Sequence, residues 1–171
     1  MVNKSLALLG ATGSIGTSTF AVAAEQNIPI VLASADKNHL LLLKYAKQHN
    51  IPSLFFTGIE DPTLQTKLKA ENPEHKIYFG ETELIKALAN ENYDIALNAI
   101  AGSAGLRYSF AILKHNKYLA LANKESLVMG GHLLTKMLSD KPIIPVDSEL
   151  SALFQAIGKH PANEIQHLHL T

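Results

Sequence analysis

At 171 residues the chain is long enough for one domain with a substantial core and the start of a second. Its 47% apolar content excludes a disordered chain, and a formal net charge of +0 without a long run of one sign leaves no electrostatic footprint for nucleic acid or an anionic membrane. The absence of cysteine rules out disulfides, thiolate catalysis and cysteine metal sites, and fits a reducing compartment. The first informative stretch is Leu6-Ala7-Leu8-Leu9-Gly10-Ala11-Thr12-Gly13-Ser14-Ile15-Gly16. An apolar run reads as a buried strand, breaks at Gly10, and opens into a helix over 15–25. That layout exposes backbone N–H groups at a helix N-terminus to a pyrophosphate. Gly10 permits the tight turn, Gly13 leaves the phosphates unobstructed, and Gly16 lets the helix lie close to the strand. The spacing is G-x-x-G-x-x-G rather than the usual G-x-G-x-x-G, so glycines kept for packing alone are the competing reading. The strand before and the helix after favour the nucleotide.

Lys4, Leu6 to Leu9 and the alanines near position 22 faintly resemble a signal peptide, but Gly10, Thr12, Gly13 and Ser14 interrupt the apolar run. No stretch reaches the length of a membrane span, and a cytoplasmic protein is expected. Beyond the first helix the pattern alternates. Strands are predicted over 30–34, 53–57, 75–79, 94–99, 118–122 and 142–146. Helices are predicted over 38–49, 60–69, 82–90, from the Gly102-Ser103-Ala104-Gly105 turn to about 116, over 125–139 and over 148–157. The strands are near-continuous apolar runs, as in a parallel sheet covered on both faces. This predicts an α/β fold with a doubly wound, mostly parallel, Rossmann-like sheet. Residues 164–171 alternate apolar and polar instead, and read as a strand opening a different sheet.

Three further motifs carry possible chemistry. The turn after the second strand, where a dinucleotide's ribose lies, is Ser34-Ala35-Asp36-Lys37-Asn38. Asp36 suits a 2′-hydroxyl and Lys37 a 2′-phosphate, so the choice between NAD and NADP stays open, and Asn38 doubles as a helix N-cap. Asn123-Lys124-Glu125-Ser126 lies past the carboxyl end of a strand, where ligands sit in such sheets. Lys124 suits a phosphate or a nicotinamide-side group there and Asn123 suits a cofactor, while helix capping explains Asn123 and Glu125 equally well. Asp147-Ser148-Glu149 presents two carboxylates for a hard divalent cation, against the alternative of a capped helix start. His167 and His169 would share a strand face without a third ligand, which reads as a solvated face.

Together these motifs, with Ala99-Ile100-Ala101-Gly102-Ser103-Ala104-Gly105, Pro145-Val146 and Phe154-Gln155, closely resemble the 1-deoxy-D-xylulose 5-phosphate reductoisomerase family over essentially the whole chain. The resemblance implies an NADPH-dependent rearrangement and reduction of 1-deoxy-D-xylulose 5-phosphate to 2-C-methyl-D-erythritol 4-phosphate in the non-mevalonate route to isoprenoids. It implies that Thr12, Gly13, Ser14 and Ile15 contact the pyrophosphate, Lys37 and Asn38 the 2′-phosphate, and Asn123 and Glu125 the nicotinamide end. Lys124 and Ser148 would bind the phosphorylated sugar, and Asp147 and Glu149 would ligate Mg²⁺ or Mn²⁺ as a Lewis acid. Asp36 departs from the family's usual glycine and weakens the expected NADP preference. Family members are more than twice as long, so 1–145 is expected to be the NADPH-binding domain and 146–171 the beginning of the catalytic domain. A third metal-binding glutamate, further substrate contacts, a lid and a helical domain would follow. The expectation is a bacterial cytoplasmic enzyme, homodimeric at full length, whose 171-residue portion turns over little or nothing alone. A stand-alone nucleotide- or partner-binding module and a relative of homoserine dehydrogenase are the rival readings.

Overall fold

The structure, a computed structural model, describes residues 4–138, 143–158, 160 and 162–167. Among these described residues seven strands form one sheet: β1 (Leu6–Leu9), β2 (Ile30–Ala35), β3 (Ser53–Phe56), β4 (Lys76–Phe79), β5 (Ile95–Asn98), β6 (Tyr118–Leu121) and β7 (Ile143–Pro145). Between and after them run α1 (Ser14–Glu25), α2 (His39–His49), α3 (Pro62–Glu71), α4 (Glu81–Asn90), α5 (Leu106–Lys114), α6 (Glu125–Leu134) and α7 (Ser148–Ile157). The strand order is β4-β3-β2-β1-β5-β6-β7, and every pair is parallel. The expected doubly wound α/β architecture is therefore present, with a fully parallel sheet.

Crossover handedness explains the layering. The chain first steps outward from β1 to β4, so right-handed crossovers put α1, α2 and α3 on one face. It then returns to β5 on the other side of β1 and steps outward again, which puts α4, α5 and α6 on the opposite face. Two cores result. Leu8, Ala33, Leu54 and Leu97 meet Phe20, Leu42 and Leu68 in one. Ala7, Leu9, Phe55 and Ala96 meet Leu84, Ile112 and Leu134 in the other. Alternate residues of each strand thus serve both cores, which is why the strands are apolar throughout. The first core is closed by Phe20 stacked on Tyr45, ring centroids 4.2 Å apart.

The direction reversal leaves a switch point between β1 and β5, and a polar latch fixes their common start. The Asp94 carboxylate accepts from the Ser5 amide at 2.7 Å and from the Ser5 hydroxyl at 2.9 Å, while the Asp94 and Ile95 amides each donate to Ser5 O at 3.1 Å. These bonds, the backbone one foremost, hold the Asp94 carboxyl below its ordinary value of 3.8.

Two expectations differ from what is found. The helix predicted over 125–139 ends as an α-helix at Leu134 and tightens into a 3₁₀ turn at Thr135–Met137; Ser139 lies outside the described residues. The Thr135 hydroxyl donates back to Gly131 O at 2.8 Å, a local bond of the kind that competes with the helical ladder. The strand expected over 164–171 is not formed in its described part. Glu164 closes a 3₁₀ turn at Ala162–Glu164, and residues 165–167 carry no strand; 168–171, with His169, lie outside the described residues, as do Pro142 and Pro161. Alternation becomes a strand only where a neighbouring backbone pairs with it.

Two stability outcomes follow. Gly16→Ala lowers the unfolding free energy by about 1–3 kcal/mol through overpacking, because its Cβ would lie 2.4 Å from Gly10 O. Gly131→Ala raises it by about 0.5–1 kcal/mol, because a Cβ there meets only Leu127 Cβ, at 3.9 Å. Urea midpoints of the two variants should move in opposite directions. Since the folded Asp94 pKa is depressed, its contribution is present above the unfolded value of 3.8 and is lost as pH falls through the lower folded value. The stability gap between wild type and Asp94→Asn should therefore be widest near neutrality and close as acid unfolding is followed from pH 6 to pH 3. A gap independent of pH would contradict the latch.

Candidate functional site

At the carboxyl end of β1 the backbone turns at Gly10, whose φ of 73° lies in the left-handed region. A Cβ on Gly10 would stand 2.6 Å from Ala99 O and 2.9 Å from Ile100 N, so a side chain would collide with the turn after β5. A Cβ on Gly16 would stand 2.4 Å from Gly10 O and 2.6 Å from Ala11 C, so this glycine sets how closely α1 lies on the strand turn. Gly13 is different. A Cβ there would find only Gly10 O, at 3.4 Å, so the protein's own packing does not require glycine at this position. It is exposed, caps α1 without a side chain, and no acidic residue stands in that helix's first turn. The amides that open α1 are thus left for an anion.

These elements border a crevice of about 450 Å³ at the switch point, lined by Gly10, Gly13, Ser34, Asp36, Ile100 and Tyr108 among others. Ser34 closes its floor: Ser34 O accepts from Ala11 N at 2.8 Å, and its hydroxyl accepts from Gly10 N at 3.4 Å. Burial, with the Glu81 charge next, pushes the Tyr108 phenol up to about 12. It stays protonated at neutral pH.

The opposite wall, residues 99–105, is held by two buried asparagines. Asn98 donates to Gly105 O at 2.8 Å and to the Ser109 hydroxyl at 2.9 Å, and accepts from Ile100 N at 3.2 Å. Asn123 donates to Ile100 O and to Gly102 O and accepts from both the amide and the hydroxyl of Ser126. Both N–H bonds of its amide and both lone pairs of its oxygen are engaged. Asn123, expected at the nicotinamide end, therefore acts as a tie between the crevice wall and the start of α6. Asn98 and Tyr108 were not singled out from the sequence. A polar residue ending the apolar run 95–98 was the available signal for Asn98, whereas Tyr108 sits on an ordinary amphipathic helix.

The other expected residues fall at the same carboxyl edge of the sheet. The side chain of Asn38 accepts from Leu41 N at 3.2 Å as the cap of α2, and Lys37 beside it is exposed. Thr12 is half-buried at the crevice, and Ser14 and Ile15 are exposed at the head of α1. Asp147 Oδ1 accepts from Leu150 N at 2.7 Å as the cap of α7, with Ser148 and Glu149 exposed in its first turn. Lys124 and Glu125 are exposed at the head of α6, and Lys124 Nζ lies 3.9 Å from Glu149 Oε2. Lys124 and Asp147 also line a hollow of about 320 Å³ with Leu150 and Phe154. Because all strands are parallel, the turns after β1 and β7 share one edge of the sheet, three strand spacings or about 14 Å apart. A groove of about 450 Å³ lined by Ser14, Ile15, Leu97 and Val146 joins them along the α1 face. Among the described residues no group of three or more His, Asp or Glu side chains could hold a metal, so Asp147 and Glu149 stand as a pair. No described helix is long and apolar enough to cross a membrane.

Comparison with known proteins gives a consistent assignment. A reductoisomerase from Halothermothrix orenii, described as 1-deoxy-D-xylulose 5-phosphate reductoisomerase, is 35% identical over 99% of this chain and 45% of its own length. The chain thus spans about 45% of the length of that curated relative. Among solved structures, the reductoisomerase of Zymomonas mobilis in complex with NADPH superposes with a TM-score of 0.82 at 32% identity, covering 92% of this chain and 42% of that one. A further reductoisomerase in complex with NADPH, fosmidomycin and magnesium gives 0.80 at 32% identity, covering 92% and 40%. A putative homoserine dehydrogenase from Archaeoglobus fulgidus, 15% identical with a TM-score of 0.50, shares the fold alone. The family profile for 1-deoxy-D-xylulose 5-phosphate reductoisomerase matches residues 6–131, from the first strand through both asparagine ties and into α6. With that span well over half of its length, the chain belongs to the 1-deoxy-D-xylulose 5-phosphate reductoisomerase family.

Proposed function

We propose that this chain is the coenzyme-binding portion of an enzyme that rearranges 1-deoxy-D-xylulose 5-phosphate and reduces the product to 2-C-methyl-D-erythritol 4-phosphate with NADPH, in the non-mevalonate route to isoprenoid precursors. The observation that carries the proposal is the switch-point crevice: a cavity of about 450 Å³ is lined by Gly10, Thr12 and Gly13, a glycine that packing does not require, where α1 opens without a side-chain cap. Relatives of known structure that bind NADPH, magnesium and the phosphonate fosmidomycin support it. In this reading residues 1–145 form the NADPH domain and 146–171 open the catalytic domain. A cytoplasmic, homodimeric whole enzyme belongs to the same proposal.

The residues fit a dinucleotide. Thr12, Gly13, Ser14 and Ile15 would contact the pyrophosphate, with the Gly13 amide itself donating to Gly10 O at 3.1 Å within the turn, and Lys37 and Asn38 would border the adenosine ribose. Glu125 lies towards the nicotinamide end, where Asn123 contributes by holding the loop at 100–102 in place. Bound there, NADPH supplies a hydride. A divalent cation fits less completely. Asp147 and Glu149 offer hard oxygen donors suited to Mg²⁺ or Mn²⁺, and two carboxylates make up only part of a six-coordinate shell. Such a cation supplies Lewis acidity towards substrate oxygens. Lys124 and Ser148 would bind the phosphorylated sugar. The lysine ammonium and the positive end of α6 present an anion-attracting locus, with Glu149 Oε2 3.9 Å from Lys124 Nζ.

Titration of the chain with NADPH, read by nicotinamide fluorescence or calorimetry, tests the crevice. Saturable binding is expected in wild type, and Gly13→Val should weaken it at least about tenfold without shifting the thermal midpoint by more than a few degrees. Undiminished binding in that variant would contradict the proposal. In a coupled assay with 1-deoxy-D-xylulose 5-phosphate and Mn²⁺, NADPH oxidation by this chain alone should stay near background. Turnover at the level of a complete reductoisomerase would show that the residues present here already suffice.

A further inference from the structure

The turn after β2 carries a feature that bears on which coenzyme is taken, and the inference rests on the coenzyme reading above. In a doubly wound dinucleotide site, an acidic side chain here accepts from the ribose 2′-hydroxyl, whereas a cation receives a 2′-phosphate. Asp36 follows the last residue of β2 and lines the crevice. Its backbone is tied to the turn after β3, where Gly58 N donates to Asp36 O at 3.1 Å and Thr57 N donates to Ala35 O at 3.0 Å. Its carboxylate lies over Gly58, so closely that a Cβ on that glycine would stand 1.9 Å from Oδ1 and 2.7 Å from Cγ. The missing side chain at 58 is what admits the carboxylate.

The surrounding charges leave Asp36 unopposed by any close partner. Glu81 lines the same crevice and is bonded to Arg107. Tyr108, whose phenol both Glu81 and Asp36 push upward after burial, is neutral. Among the described residues neither Asp36 nor exposed Lys37 makes an ion pair. The ribose end therefore holds one free carboxylate, one free ammonium and one neutralised pair. A pocket shaped for a 2′-phosphate dianion needs a net positive charge; this one has none.

We propose that Asp36 sets the ribose selectivity of this chain: its carboxylate accepts from the 2′-hydroxyl of the non-phosphorylated coenzyme and repels a 2′-phosphate, so that NADH binds alongside NADPH with little discrimination. Calorimetric titration of the chain with NADH and with NADPH, repeated on Asp36→Asn, tests this. Asp36 is exposed and unpaired, so the isosteric variant keeps the fold, which circular dichroism verifies. Wild-type dissociation constants for the two coenzymes should agree within about tenfold. Removing the charge should tighten NADPH and weaken NADH, raising the preference for NADPH about tenfold or more. A wild type that binds NADPH far more tightly than NADH, or a preference unmoved by Asp36→Asn, overturns the proposal while the coenzyme site stands. Failure of wild type to bind either nucleotide overturns the coenzyme reading itself, and this inference with it.

Discussion

The site depends on a close three-way approach at the carboxyl end of β1. Strand, following helix and the turn after β5 come together where two of the three glycines of the opening motif have no room for a methyl group, against Ala99–Ile100 at Gly10 and against Gly10 O at Gly16. Interiors packed at this density do not yield by half an ångström without cost, so the geometry of the crevice mouth is set by backbone contact. Gly13, which lines the crevice, then opens α1 with no side chain to cap the helix. Gly13, free of any such packing demand, is the position where the motif serves the ligand rather than the fold.

The wall across the crevice is fixed by different means. Asn98 and Asn123 are buried with every amide N–H donated and each oxygen accepting, and between them they hold the backbone of residues 100–105 through Gly105 O, Ile100 N and O, and Gly102 O. Buried amides satisfied in this way rigidify a loop, because losing any one bond strands a polar group away from water. One wall is thus held by steric exclusion and the other by hydrogen bonds. The charged groups suited to substrate and cation, Lys124, Asp147 and Glu149, stand at the heads of α6 and α7 along the same edge. This common edge follows from the all-parallel sheet.

Much of the fold was legible because a sheet covered on both faces writes itself as apolar runs separated by amphipathic helices; six of the seven described strands fall within the predicted segments, and β2 runs one residue beyond its own, to Ala35. What alternation alone implied for 164–171 was less secure, since a strand needs a backbone partner that a one-dimensional pattern does not contain. The end of α6 was misjudged for a local reason, a threonine hydroxyl returning to the backbone near Gly131. At the site, residue types and their order pointed to one edge of the sheet, where the structure brings the residues together, but roles were harder to separate. Asn38 and Asp147 do cap their helices, as their sequence context allowed. The tie that Asn123 makes to the facing loop was not legible, because its partners lie some twenty residues away in sequence. The fit of Asp36 over Gly58 joins two different βα turns, and neither stretch announces it by itself.

The central claim is that the amides at the head of α1 receive the coenzyme's pyrophosphate. Amide hydrogen exchange on the chain with and without saturating NADPH tests it most directly. The account predicts that residues 13–16 and the facing loop at 99–102 gain the strongest protection. Protection confined to the hollow between α6 and α7, with residues 13–16 unchanged, would contradict it.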